Sequence, residues 1–221
     1  MQYDILTIFP RIFDSYFNES ILARAQKAKK IKVNTHDIRR FAVDKHGTVD
    51  DKPYGGGPGM VMMIEPIYKT LKKIKRKKNS KVVLLSARGK TWTQQRAQKY
   101  EKLDQLILIC GHYEGVDERI KNFIDDEISI GDYVLTGGEL GAMVLIDSIS
   151  RLIPGVLGKE ESLKEESHYK KGYLEYPQYT RPEVFKAGKK NYQVPEMLLS
   201  GHHAKIKEWR EKQSKKNNLW Q

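Results

Sequence analysis

The chain predicts an α/β protein with a mainly parallel sheet and helices on both faces, and three observations predict it. Short, almost unbroken apolar runs recur through its first two-thirds, as in residues 81–86 (KVVLLS) and 106–110 (LILIC). Strands covered on both sides by crossover helices read in this way. Segments with helical apolar spacing separate these runs, so strand and helix alternate as in βαβ units. Glycine-rich loops follow several runs, at the strand ends where parallel sheets hold their ligands.

Taken in order, residues 3–9 (YDILTIF) are predicted as a strand, followed by helical turns from 10 to about 30. Residues 31–38 (IKVNTHDI) alternate apolar and polar side chains, the period of a half-buried strand. A loop over 44–59 precedes an amphipathic helix over 65–78. The strand 81–86 leads to a helix at 93–102, and the strand 106–110 to one at 116–124. A last short strand, 127–130, comes before a largely apolar helix over 138–152.

The character then changes. Residues 158–172 (GKEESLKEESHYKKG) are polar and charged, the composition of an exposed, mobile linker. Pro177, Pro182 and Pro195 break up the next segment, and a helix over about 201–216 closes the chain, with Ser200 as its N-cap. Lys205, Lys207, Arg210, Lys212, Lys215 and Lys216 decorate that helix, with Ile206 and Trp209 available for packing. The expected divisions are a sheet domain over 1–157, a flexible linker over 158–173 and a small α-helical domain over 174–221.

Forty Lys and Arg against 28 Asp and Glu leave a formal charge of +12 on 221 residues. That balance favours a polyanionic partner, because each phosphate neutralised releases condensed counterions; a solvated Lys-rich surface is the alternative. One cysteine, Cys110, excludes an internal disulfide framework and argues against a zinc cluster. The amino terminus has neither a charged leader nor a long apolar run, so a cytoplasmic protein without membrane attachment is expected.

Some motifs are decoys. Arg88-Gly89-Lys90-Thr91 invites a phosphate-loop reading, but that loop needs a glycine where this chain has Leu84. The six histidines show no metal-ligand spacing, and no nucleophile elbow occurs. Four segments remain: the loop 54–60 (YGGGPGM), Leu84 to Ala87 at one strand end, 111–119 (GHYEGVDER) at the next, and 128–142 (ISIGDYVLTGGELGA). Bare glycine backbone lets a ligand approach closely. Three such loops at neighbouring strand ends define a crevice.

With these segments in view, GGGPGM, GHYEGVDER, SIGDYVLTGGEL, DSISRLIPGVLG, YPQYTRPEVF and LLSGHHAKIKEWR together resemble the bacterial tRNA (guanine-N1)-methyltransferases of the SPOUT class. The similarity runs the length of the chain, in order. It implies a deep trefoil knot, S-adenosylmethionine as methyl donor, a homodimer with active sites at the subunit interface, and the guanosine 3′ to the tRNA anticodon as substrate. Carried over by residue, the donor site is Leu85, Ser86, Gly111, Tyr113, Glu114, Gly115, Ser129, Ile130, Gly131, Asp132, Tyr133, Val134, Leu135, Gly137 and Gly138. Bare loops can read an adenine edge, and Ile130, Tyr133 and Leu135 can wall it; a core position is the lesser alternative for Tyr133 and Leu135.

Guanine N1 is a poor nucleophile until its proton leaves, so the reaction needs a base near N1 and a cation near the ring oxygen. Arg151 suits the second role, with a helix C-terminal charge paired with the macrodipole as the alternative. For the first, the resemblance implies an Asp-Ser pair in the linker. Here Glu166-Ser167 stands at that place, one methylene longer; Glu165 suits it less, and Glu160 and Glu161 fit the spacing worse. Gly141 is a second departure, where proline is usual. His46, Asp50 and Pro58 are expected to shape the guanine pocket, though the first two could be turn residues. Tyr179, Arg181, His202 and Lys205 are expected to grip tRNA, and Lys72 to Lys78 reads better as a solvated face. Magnesium is associated with the family; Glu114 and Glu166 could help place an ion, without a dedicated cage. The competing functions are a knotted methyltransferase of ribosomal RNA or of a ribose hydroxyl, and a non-catalytic RNA-binding module. GGGPGM and TRPEVF weigh against the first, and a donor pocket against the second.

Overall fold

The computed structural model describes residues 1–158, 166–170 and 172–217, in two compact units, Met1–Gly158 and Lys159–Gln221. The first unit opens with β1 (Gln2–Thr7), a 3-10 turn at Pro10–Phe13, α1 (Asp14–Phe17), α2 (Ser20–Lys27) and β2 (Lys32–Asp37). Two short strands, β3 (Asp50–Asp51) within the expected loop and β4 (Val61–Met62) just after it, precede α3 (Ile64–Lys73). Then come β5 (Ser80–Thr91), α4 (Gln94–Tyr100), β6 (Gln105–Cys110), a 3-10 turn at Glu118–Phe123, β7 (Asp126–Ser129) and α5 (Glu139–Ser150).

Five strands form one parallel sheet in the order β2-β1-β6-β5-β7. β6 lies in the middle and all six of its residues are buried, as its unbroken apolar run demands. One face of the sheet packs Leu6, Val82, Leu84, Ile107 and Ile109 with Ile67 and Leu71 of α3. On the other, α5 packs on β1 and β6, and Ser150 donates a 3.0 Å hydrogen bond to the Tyr3 hydroxyl. Helices thus cover both faces.

Several elements depart from the sequence reading, each for a local reason. The helical turns expected over 10 to about 30 are a 3-10 turn and two short helices, interrupted at Asn18 and Glu19, where polar residues break the apolar spacing. α3 stops at Lys73, because Ile74 turns extended and buried while the Gln105 side chain holds the exit. It accepts from the Lys77 N–H at 2.7 Å and donates to the Lys75 carbonyl at 3.3 Å. The helix expected at 116–124 is only a 3-10 turn. Residues leading into it are paired elsewhere: the Met62 N–H bonds the Gly115 carbonyl, and the Asp117 N–H the Met62 carbonyl. β5 runs on past residue 86 and rejoins β7 at Lys90 and Thr91, with residues 86–89 bulged out between. The Arg88–Thr91 decoy is therefore strand and bulge.

The second unit contains a hairpin that the helical reading lacked, β8 (Val184–Ala187) paired with β9 (Lys190–Gln193). All eight of these residues are exposed, so no buried face wrote an alternating pattern into them. α6 (Glu196–Leu199) and α7 (His203–Asn217) complete it. Ser200 ends α6 rather than capping α7: its hydroxyl donates to the Met197 carbonyl at 2.8 Å, and Gly201 at φ +72° separates the helices. Residues 166–170 and 172–175, expected within or beside the linker, are tied by hydrogen bonds, with Ser167 Oγ accepting from the Glu175 N–H at 2.9 Å and the Tyr173 carbonyl from the His168 N–H at 2.7 Å. Glu160, Glu161 and Glu165, and the side chains of Lys215 and Lys216, lie outside the described residues.

Candidate active site

The sheet opens at the carboxyl ends of β6, β5 and β7 into a cavity of about 270 Å³. Three loops build it. After β6 the chain turns through Gly111 to Gly115, with Tyr113 in the left-handed region at φ +59°. That conformation is strained for a tyrosine. It is pinned by the Glu114 N–H on the Met60 carbonyl and the Gly115 N–H on the His112 carbonyl. From β5 comes the 86–89 bulge, where Ser86 Oγ accepts from the Arg88 N–H at 3.2 Å. After β7, Ser129 Oγ donates to the Gly131 carbonyl and accepts its N–H, closing a tight turn.

The segment leading into α5 then crosses back over the β6 tip. Gly138 is its closest point, its N–H bonding the Gly111 carbonyl at 2.9 Å. A Cβ on Gly138 would come within 2.8 Å of Cys110 Cα and 3.1 Å of the Gly111 nitrogen. Only glycine allows this crossing.

All the donor residues expected from the sequence line this one cavity except Asp132, which is exposed and outside it. Tyr133 and Leu135 stand partly exposed and Val134 almost fully so, which leaves apolar wall uncovered. Ala87, His112 and Thr136 also line it, inside segments the sequence singled out but without a role assigned to them, and Arg88 lines it just past one of those segments. Arg88 opens the tetrapeptide whose resemblance to a phosphate loop masks its place at the strand end. Gly141 lies beneath Leu85, where a Cβ would make ordinary contact at 3.4 Å, so glycine here gives up only that van der Waals contact and no polar group. The Cys110 thiol, wholly buried, is pushed well above its ordinary pKa by burial and then by the nearby Glu139 charge. It stays a protonated core side chain.

His46, Asp50 and Pro58 do not line the cavity. Their segment is nevertheless tied to it through Met60 and Met62, whose backbones bond residues 114–117. His46 is exposed in a turn held by Asp44, which accepts from both the N–H and the hydroxyl of Thr48. Arg151 closes α5 as its C-cap in the first unit, and Glu166 stands half-buried in the second.

The second unit has a cavity of its own, about 500 Å³. Arg181 lines it, whereas His202 and Lys205 do not. His203, Ile206, Lys207 and Arg210 of α7 do, at the spacing of one helical face. The Arg210 guanidinium sits 4.7 Å from the centre of the Tyr176 ring, and Tyr179 meets Trp209 edge-on at 6.4 Å.

The whole chain, residues 1–221, matches the model of the family described as tRNA (Guanine-1)-methyltransferase TrmD. It belongs to that family. Among its relatives, the tRNA (guanine-N(1)-)-methyltransferase of Ruminiclostridium cellulolyticum is 55% identical over 217 residues, 97% of this chain and 91% of the relative. Those of Clostridium tetani and Clostridium acetobutylicum are 54% and 50% identical, covering 96% and 98% of this chain and 87% of each relative. The family is of SPOUT type, and the α/β class expected from the sequence agrees with it. A methyl donor therefore belongs to its chemistry. Among the described residues no three His, Cys, Asp or Glu gather as a metal cage, and no helix is long and apolar enough to cross a membrane.

Proposed function

We propose that the chain is a cytoplasmic tRNA (guanine-N1)-methyltransferase that methylates N1 of the guanosine 3′ to the anticodon, using S-adenosylmethionine bound at the strand tips. The observation that carries this reading is the cavity itself, which is open and lined by the loops of three neighbouring strands. Its volume lies just under the roughly 300 Å³ at which small-molecule sites begin, for a cleft still open to one side.

The residues fit such a donor. Backbone groups of the 111–115 and 129–138 loops can bond an adenine edge and the amino-acid end, while Ile130, Tyr133 and Leu135 supply apolar walls. When bound there, the donor supplies an electrophilic methyl group on a positively charged sulfur. The chain's own side chains must do the rest. The Glu166 carboxylate would take the N1 proton, leaving the nitrogen lone pair free to accept the methyl group that the donor supplies. Arg151 meets the negative charge that grows on the guanine oxygen as the proton leaves. Magnesium finds no protein cage among the described residues.

A homodimer is supported by an uncovered apolar face in the first unit. Leu140 and Val144, one turn apart on α5, are 53% and 44% exposed, and Phe9 and Ile12 are exposed on the preceding 3-10 segment that α5 contacts. Tyr16 belongs to the same face, its hydroxyl bonding the Asp147 carboxylate. A second copy would cover it. The second unit, with Arg181, His203, Lys207 and Arg210 beside two tyrosines, suits an RNA backbone with unstacked bases; His202 and Lys205 extend that basic surface outside the cavity. Mass-spectrometric mapping of a tRNA transcript with guanosine after its anticodon tests the reading. One methyl group on N1 of that guanosine is expected, and an unmodified transcript under saturating donor would end it.

A further inference from the structure

Behind the donor cavity lies a polar cluster that the methyl transfer does not use. Glu139, the first residue of α5, is only 3% exposed although it carries a carboxylate. A carboxylate sealed from water needs donors or positive charge beside it. The Thr7 hydroxyl, at the tip of β1, donates to its Oε1 at 2.7 Å. Nδ1 of His112, in the loop after β6, lies 3.5 Å from its Oε2. The positive end of α5 adds to both.

His112 is gripped from other sides too. Its backbone N–H meets Met62 Sδ at 3.2 Å, and the Phe9 ring lies edge-on at 5.1 Å between centroids. Its ring nitrogen Nδ1 is buried and makes no well-formed hydrogen bond among the described residues, so the Glu139 carboxylate is what it faces. Gly137 completes the arrangement. It pairs with His112 as an isolated antiparallel bridge, and a Cβ there would collide with the imidazole and with the Glu139 carboxylate. The bare position before Gly138 is thus explained by the side-chain pair beneath it.

We propose that Glu139 is a positioning residue for the donor cavity, acting through His112. The inference rests on the donor reading above. The loop that carries His112 also presents Gly111, Tyr113, Glu114 and Gly115 to the cavity. Tyr113, next in the chain, is held in a strained backbone conformation. Anchoring the imidazole to a buried carboxylate keeps this loop from relaxing into the space that the donor fills.

The test uses the full chain, with S-adenosylhomocysteine titrated calorimetrically, thermal melts, and initial rates against donor concentration. His112→Ala is expected to weaken binding about tenfold, the size of effect that comes from stranding a buried acceptor. His112→Asn, whose amide N–H can still reach the carboxylate, should come back to within about threefold of the native chain. Glu139→Gln should also raise KM for the donor while leaving kcat at saturation close to native. Native affinity in His112→Ala would overturn the proposal. So would equal losses in the Ala and Asn variants that simply track their melting temperatures, since that is what a purely structural role gives. If the native chain itself takes up no S-adenosylhomocysteine, the donor reading falls and this inference with it.

Discussion

Two glycines three residues apart should respond to alanine with opposite signs. Gly138 caps α5 at φ −78°, a conformation alanine adopts freely, so its substitution meets no backbone strain. The added methyl would instead press on Cys110 Cα at 2.8 Å and on the Gly111 nitrogen and Leu85 Cβ at 3.1 Å. Two of those atoms are backbone at the tip of the fully buried central strand, and they cannot swing aside. Overpacking of this kind costs about 1–3 kcal/mol. At about 3 °C per kcal/mol for a chain of this size, Gly138→Ala should melt roughly 3–9 °C lower. Because the same crossing shapes the cavity, it should also bind S-adenosylhomocysteine at least about fivefold more weakly, one decade per 1.4 kcal/mol. Gly141 lies in the first turn of α5, and its nearest neighbours would stand at 3.4 and 3.5 Å from a Cβ. Gly141→Ala should therefore gain up to about 1 kcal/mol from helix propensity. Thermal melts and calorimetric titration of both variants decide the matter. If Gly138→Ala matches the native chain in both readouts, the close crossing of strand tip and helix entry is refuted.

Particular contacts elsewhere in the chain carry further expectations. Glu166→Gln should abolish methyl transfer while leaving donor affinity unchanged, and undiminished turnover would move the base elsewhere. Asp4 is buried, which pushes its pKa up, but hydrogen bonds from His36, Gln105, Asn34 and Gln2 outweigh burial and hold it at about 2. Its folded pKa is depressed, so this stability is present above the ordinary carboxylate value and is lost as pH falls through about 2. Asp4→Asn should cost roughly 2 kcal/mol at neutral pH and flatten that acid limb, since one pKa unit is worth about 1.4 kcal/mol; acid melts of both chains check it. Val144→Glu puts a charge on the uncovered face of α5 and should turn the proposed dimer into a monomer in sedimentation velocity. A dimer that persists would place the interface elsewhere.

The legible parts of this protein are those where one physical signal dominates. β6 reads as a buried strand because Leu106 to Cys110 are all buried in the core, and the LILIC run has no other explanation. α4 begins where Thr93 announces it, the hydroxyl accepting from the Arg96 N–H. The 116–124 segment misleads because its apolar spacing is sound, while the backbone leading into it is already claimed by Met60 and Met62, over fifty residues earlier. The β8–β9 hairpin escapes notice because a wholly exposed strand writes no hydrophobic pattern.

The candidate site divides along the same line. Glycine loops after apolar runs are visible, and with them nearly every residue of the cavity, because each loop advertises its bare backbone locally. Nothing local marks Glu139 or His112. An acid opening a helix is ordinary, and a histidine in a polar loop equally so. The amino-acid sequence by itself determined the alternation of strand and helix, the positive charge, and which strand ends would carry glycine. Only the tertiary structure decided that β6, β5 and β7 stand side by side, that the chain crosses back over the β6 tip at Gly138, and that a carboxylate is sealed beneath the crossing. Strand order, crossing and burial depend on contacts between residues far apart in the chain, and such contacts leave no period in it.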